Sequence, residues 1–104
     1  MIDGLFQGGA IPTLERTVQF TSARHKVLSH SIANLSTPFF KPVDLNPAQF
    51  QEALGDAIDR RRSTATPHHG DLDLRDTDQI EFHGDGLNVT PRPTGDDLLR
   101  HDEN

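Results

Sequence analysis

The sequence predicts a mainly α protein that is extended rather than compact. It should hold a long N-terminal heptad-patterned helix, a second shorter helix, and then largely irregular chain with a short β-hairpin. Three observations predict this. Apolar residues recur in alternating steps of three and four from Ile11 to Leu35. A complete set of helix-start signals surrounds Asn46-Pro47. The apolar supply is thin, at 33% of 104 residues with six Phe, no Trp and no Tyr. With a mean hydropathy of -0.60, little burial is available to offset the entropy of ordering the chain. Such a chain is expected to complete its core with partners. Alone, it should melt with poor cooperativity or associate with itself through residues 11–35.

The first helix is set by its periodicity. Ile11, Leu14, Val18, Thr21, His25, Leu28, Ile32 and Leu35 occupy successive a and d positions of a heptad. Six of the eight are apolar, and the polar pair, Thr21 and His25, falls together in the middle. Pro12 suits a first helical position, and Ser36-Thr37-Pro38 stops the helix because proline disfavours helical geometry in the residue before it. The pattern predicts a helix of about 24 residues, the length of a coiled-coil segment. His25 and Thr21 read as a wetter point that sets register in the seam. A pH-sensitive contact at His25 is the less favoured reading.

The second helix should run from about Pro47 to Arg61. Asn46 is a good N-cap, Pro47 suits the first helical position, and Gln49 stands where a capping-box partner belongs. Leu45 and Phe50 can form a hydrophobic staple. Phe50, Leu54, Ala57 and Ile58 make one apolar face. Arg60-Arg61-Arg62 then lie in the last turn, where cations favour the negative end of the helix dipole. That explanation outweighs a binding patch.

Beyond Ser63 the character changes, so residues 1–62 read as a helical segment and 63–104 as an acidic, loop-rich one. The first holds seven Lys/Arg against six Asp/Glu, a net of +1, and the second three against ten, a net of -7. An acidic half argues against a nucleic-acid surface. Residues 63–79 are rich in Thr, His, Asp and Gly and read as loop or disorder. Ile80-Glu81-Phe82-His83 alternates apolar and polar, Gly84-Asp85-Gly86 offers a turn, and Leu87 with Val89 returns as a partner strand ended by Pro91 and Pro93. A lone hairpin of this kind is marginal in water.

The chain contains no cysteine, so neither a disulfide framework nor a thiolate zinc site exists. No basic region followed by an apolar run opens the sequence, and no stretch approaches the ~20 apolar residues that span a bilayer. A metal-dependent enzyme centred on His68, His69, Asp71 and Asp73 is the least favoured reading, because adjacent ligands on a loop make no closed site. A hydrolase built on His83 and Asp85 lacks a nucleophile elbow, a thiol and a phosphate loop. No catalytic residue, metal ligand or cofactor is expected.

One segment is more specific than any periodicity. Ser31-Ile32-Ala33-Asn34-Leu35-Ser36-Thr37-Pro38-Phe39-Phe40-Lys41 resembles the signature of the bacterial flagellar rod, hook and hook-associated proteins. In that family a long N-terminal helix ends in Asn-Ile-Ala-Asn, followed two residues later by Thr-Pro-Gly-Tyr-Lys. Ile32, Ala33, Asn34, Thr37, Pro38 and Lys41 match in identity and spacing. Ser31 replaces an Asn, Phe39 a Gly, and Phe40 a Tyr whose hydroxyl is lost. A side chain at Phe39 makes a φ > 0 turn costly, so either the turn changes shape or the ring plugs a neighbouring subunit. Asn34 is placed either to cap the helix or to bond to a neighbour.

In length and layout the chain looks most like the short proximal rod proteins of the basal body. In these a C-terminal helix packs back on the first. Asp96 to Asn104 resembles the lead-in to that helix, which is itself missing here. The resemblance covers residues 11–50 well, the tail weakly and the middle hardly at all. It implies a non-catalytic building block, exported by the flagellar type III apparatus without a cleaved signal peptide and assembled into the periplasmic rod. The implied partners are other rod subunits and basal-body or export-gate proteins, in homo- and hetero-oligomers. A helical export-associated adaptor or interaction module that shares only the heptad is the alternative.

Overall fold

The computed structural model describes residues 10–63 and 72–94. Helix α1 spans Ala10–Ala33, 24 residues, so it begins two residues before Pro12 and has the expected length. Strand β1 is Val43–Asp44, and helix α2 is Pro47–Arg62. Strands β2, Ile80–His83, and β3, Gly86–Val89, form an antiparallel hairpin that pairs Ile80 with Val89 and Phe82 with Leu87. Strand β4, Arg92–Pro93, returns to pair antiparallel with β1, Val43 opposite Pro93. The described residues are 52% helical and somewhat extended, with a radius of gyration of 13.9 Å against 11.5 Å expected.

Helix α2 starts as its sequence demands. The Asn46 side chain accepts from the N–H groups of Ala48 and Gln49 at 2.9 and 3.4 Å, satisfying donors that the first helical turn leaves open. The reciprocal half of the capping box does not form. Asn46 N–H donates instead to the Gln79 side-chain oxygen at 2.6 Å, and the Gln49 side-chain oxygen has no hydrogen-bond partner. A buried glutamine from just before the hairpin has taken the place expected of Gln49. At the far end Arg60 donates to the backbone oxygen of Asp73 at 2.6 Å, which ties the last turn to the chain entering the hairpin.

The core is small and continuous. Phe20 of α1, Leu45, Phe50 and Ala57 of α2, and Leu72, Leu74 and Ile80 of the following segment are all buried together. The Phe20 and Phe50 rings stack at 4.3 Å with 7° between their planes, and Phe82 reaches Phe50 at 6.5 Å. The described parts of both the helical and the acidic segments therefore contribute to one core. Residues 72–79 make no regular element, yet Leu72, Leu74 and Gln79 are buried. Composition alone had marked this stretch as loop.

The hairpin escapes marginality by leaning on α1. Arg16 donates to the backbone oxygens of Gly86 and His83 at 2.8 and 2.6 Å, while its guanidinium lies 5.5 Å from the Phe82 ring centre. One cation thus closes the mouth of the turn and covers its aromatic ring.

Candidate assembly surface

Helix α1 carries two working faces. The inward one is an unpromising row by hydropathy: Arg16, Phe20, Arg24, Val27 and Ser31. Together they fasten the hairpin, α2 and β1, with Val27 packed against the core. Arg16 holds the hairpin, and Phe20 stacks on α2. Arg24 forms a two-point ion pair with Asp44 of β1, with both N···O distances at 3.0 Å. The Ser31 hydroxyl donates to the Val43 oxygen and accepts from the Val43 N–H, each at 3.0 Å. The Arg24 hydrogen bonds hold the Asp44 carboxyl below its ordinary range, against the upward pull of partial burial and with help from the Leu45 N–H.

The heptad stripe lies beside this row, and most of it is exposed. Leu14 is 51% exposed, Val18 65%, Ile32 70% and Leu35 61%. Thr21 and His25 are exposed, while Ile11 and Leu28 are half-buried. Seven of the eight residues singled out by periodicity lie along one side of the helix, Leu35 falls in the turn beyond Ala33, and none belongs to the buried core. Apolar residues repeated at coiled-coil spacing and left exposed form a candidate contact surface.

A groove of about 490 Å³ borders the stripe between the two helices, with Thr21, His25 and Leu28 on one wall and Pro47, Phe50 and Leu54 on the other. A second groove, about 370 Å³, runs from Leu28, Ile32 and Leu35 to Pro42 and Val43 of the returning chain. The stripe is the ridge between these two concave surfaces.

The segment after the helix forms a chain of local bonds that explains its residues. The Asn34 side chain donates to the His30 oxygen at 2.8 Å and accepts from the Thr37 hydroxyl at 3.2 Å. Asn34 is thus a helix C-terminal cap within its own chain. Phe40 N–H donates to the Thr37 oxygen at 3.1 Å. With Pro38 second, and Phe39 third at a φ of 64°, this has the signature of a type II turn, whose third position favours glycine. The turn keeps the shape that a glycine would suit and forces Phe39 into it, at about 1–2 kcal/mol of strain. Its ring is fully exposed, at 101%. The His30 and Phe40 rings meet edge to face at 5.8 Å and close the turn against the helix. Ala33 ends α1, and Lys41 is exposed.

The polar residues weighed for catalysis are differently placed. His68, His69 and Asp71 lie outside the described residues, and Asp73 is exposed. His83 pairs with Glu81 at 3.0 Å and with Asn88 at 2.9 Å on the open face of the hairpin. Among the described residues no helix is long and apolar enough to cross a membrane.

These features define a mainly α fold with two short antiparallel strand pairs and an exposed apolar row on its first helix. No protein-family model, curated protein or solved structure matches this chain.

Proposed function

We propose that the chain is a structural subunit of the bacterial flagellar basal-body rod, nearest in layout to the proximal rod protein FlgB, and that it works by helix packing. The observation that carries this reading is the outward heptad stripe from Ile11 to Leu35, which ends in the Asn34–Lys41 turn that resembles the family signature. The two belong together. Asn34 and Thr37 terminate the helix, Pro38 and Phe39 turn the chain, and Ser31 clamps it back as β1, so the stripe is presented on a rigid, well-ended helix. The work assigned to it is non-catalytic, with other rod subunits as partners after export through the flagellar type III apparatus.

The test uses residues that lie on the stripe and outside the core. Ile32→Asp and Val18→Asp place a charge on an exposed face, so folding and expression should be unchanged. Cells carrying either variant should lose rod assembly and motility. Motile cells with normal levels of either variant would overturn the reading.

A further inference from the structure

We propose that the turn after α1 is a membrane-docking tip: Phe39 enters the interface of an anionic lipid bilayer while Lys26 and Lys41 meet its headgroups. Such docking needs neither the rod nor its partners, so it stands apart from the reading above. Two separate observations carry it. One is the state of the Phe39 ring, and the other is the stretch from which this acidic chain withholds negative charge.

Phe39 is held at a left-handed φ of 64° with its ring 101% exposed. Burial inside the chain therefore offsets none of its strain. The bonds from the Thr37 hydroxyl to Asn34, and from the Phe40 N–H to the Thr37 oxygen, fix the turn around it and hold the ring outward. Ile32 and Leu35, 70% and 61% exposed, extend this apolar tip back to the end of the helix. Between them and the ring, Ser36 and Thr37 are exposed and carry hydroxyls but no charge, which suits the boundary between headgroups and acyl chains.

The chain carries a net charge of -6, yet all sixteen of its Asp and Glu lie outside residues 16–43. Within that stretch stand Arg16, Arg24, Lys26 and Lys41. The two arginines are engaged inside the molecule, by the hairpin and by Asp44. Lys26 and Lys41 are exposed, and among the described residues neither has an ion-pair partner. Lys41 follows Phe39 by two residues. Lys26 stands about 10 Å along the helix from its end at Ala33, so both charges act within about one Debye length of the tip.

An anionic bilayer matches both observations. Its surface potential attracts the acid-free tip and repels the acidic remainder of the chain, which orients the molecule end-on. Its fluid interface closes around a projecting ring without a preformed pocket. An acidic protein would supply the charge but would need a cavity shaped for Phe39. The contact is peripheral, since among the described residues no helix is long and apolar enough to cross a membrane.

The chain has no Trp and no Tyr, so full-length Phe39→Trp carries a single emitter at the tip. It and the unmodified chain are mixed with vesicles of phosphatidylglycerol and phosphatidylcholine, or of phosphatidylcholine alone. The expected results are co-sedimentation of both chains with the anionic vesicles only, a blue shift of the Trp emission, and release as salt is raised. Lys26→Gln and Lys41→Gln should each weaken binding about fivefold. Phe39→Asp should abolish it with the helical circular dichroism unchanged. Failure of the unmodified chain to bind anionic vesicles at low salt would overturn the inference and leave an acidic protein as the occupant. Equal binding to both vesicles, or an unshifted Trp in the bound chain, would overturn it as well. The two proposals fail separately: vesicle binding by a chain whose stripe variants swim normally removes the rod reading alone, and non-motile stripe variants of a chain that ignores vesicles remove the docking alone.

Discussion

The hydroxyl of Ser31 occupies the place of a neighbouring strand for Val43, accepting from its N–H and donating to its oxygen at 3.0 Å in both directions. In β1, Val43 stands opposite Pro93, beside the bonded pair in which the Thr94 N–H donates to the Pro42 oxygen. Its own N–H and oxygen thus point away from β4 and toward α1. The helix therefore supplies what the two-residue sheet does not. Serine and asparagine each carry a donor and an acceptor, which accounts for a Ser at the position where the resembled family has Asn. Ser31→Ala leaves both Val43 groups unpaired at a buried site and should cost about 1–3 kcal/mol. Chemical denaturation would register this as a lower midpoint at unchanged slope.

Phe39 gives the opposite sign. Its left-handed φ of 64° is unfavourable for any residue with a side chain, and its fully exposed ring has no burial to lose within the chain. Phe39→Gly should raise stability by about 1 kcal/mol, visible as a higher melting temperature. Phe39→Ala keeps the left-handed strain and should gain little. If the exposed ring serves assembly, the more stable glycine variant will be the one that assembles less well.

The stack of Phe20 on Phe50 joins the two helices. Truncating either ring should cost about 3–5 kcal/mol, a large part of the stability of a small domain. The double variant Phe20→Ala/Phe50→Ala should be less damaging than the two single losses added together, by about 0.5–1.5 kcal/mol. A double-mutant cycle followed by circular dichroism measures that difference.

Arg24 and Asp44 make stability depend on acidity. Because Arg24 lowers the folded-state pKa of Asp44, the pair's contribution is present above the ordinary carboxylate value. It is lost as pH falls through the lowered one. Arg24 is partly exposed, so the contribution is on the order of 1 kcal/mol after screening. Asp44→Asn should weaken the fold at pH 7 and match the parent under strongly acidic conditions. Melting both chains across that range tests the sign.

Much of this was legible from local chemistry. Asn46-Pro47 announced α2 because capping depends on neighbours in sequence. Gly84-Asp85 announced the hairpin for the same reason, and β2 and β3 fall on Ile80–His83 and Gly86–Val89. Of the two roles open to Asn34, the capping contact forms, to the His30 oxygen four residues back. Strand β4 escaped notice because prolines read as terminators, yet Pro93 is tolerated where a strand needs no N–H from it. Gln49 lost its capping role to Gln79, thirty residues on, which no local rule anticipates.

The sequence by itself determined that a helix of about 24 residues forms here and that seven of its positions lie in a single row. Only the tertiary structure decided where that row faces. Periodicity fixes the angle between side chains on a helix but not which side a core will claim. Here the core claimed Arg16, Phe20, Arg24, Val27 and Ser31, residues whose value lies in guanidinium, hydroxyl and ring contacts that hydropathy does not count. The more regular apolar row was left facing water, where another helix can reach it.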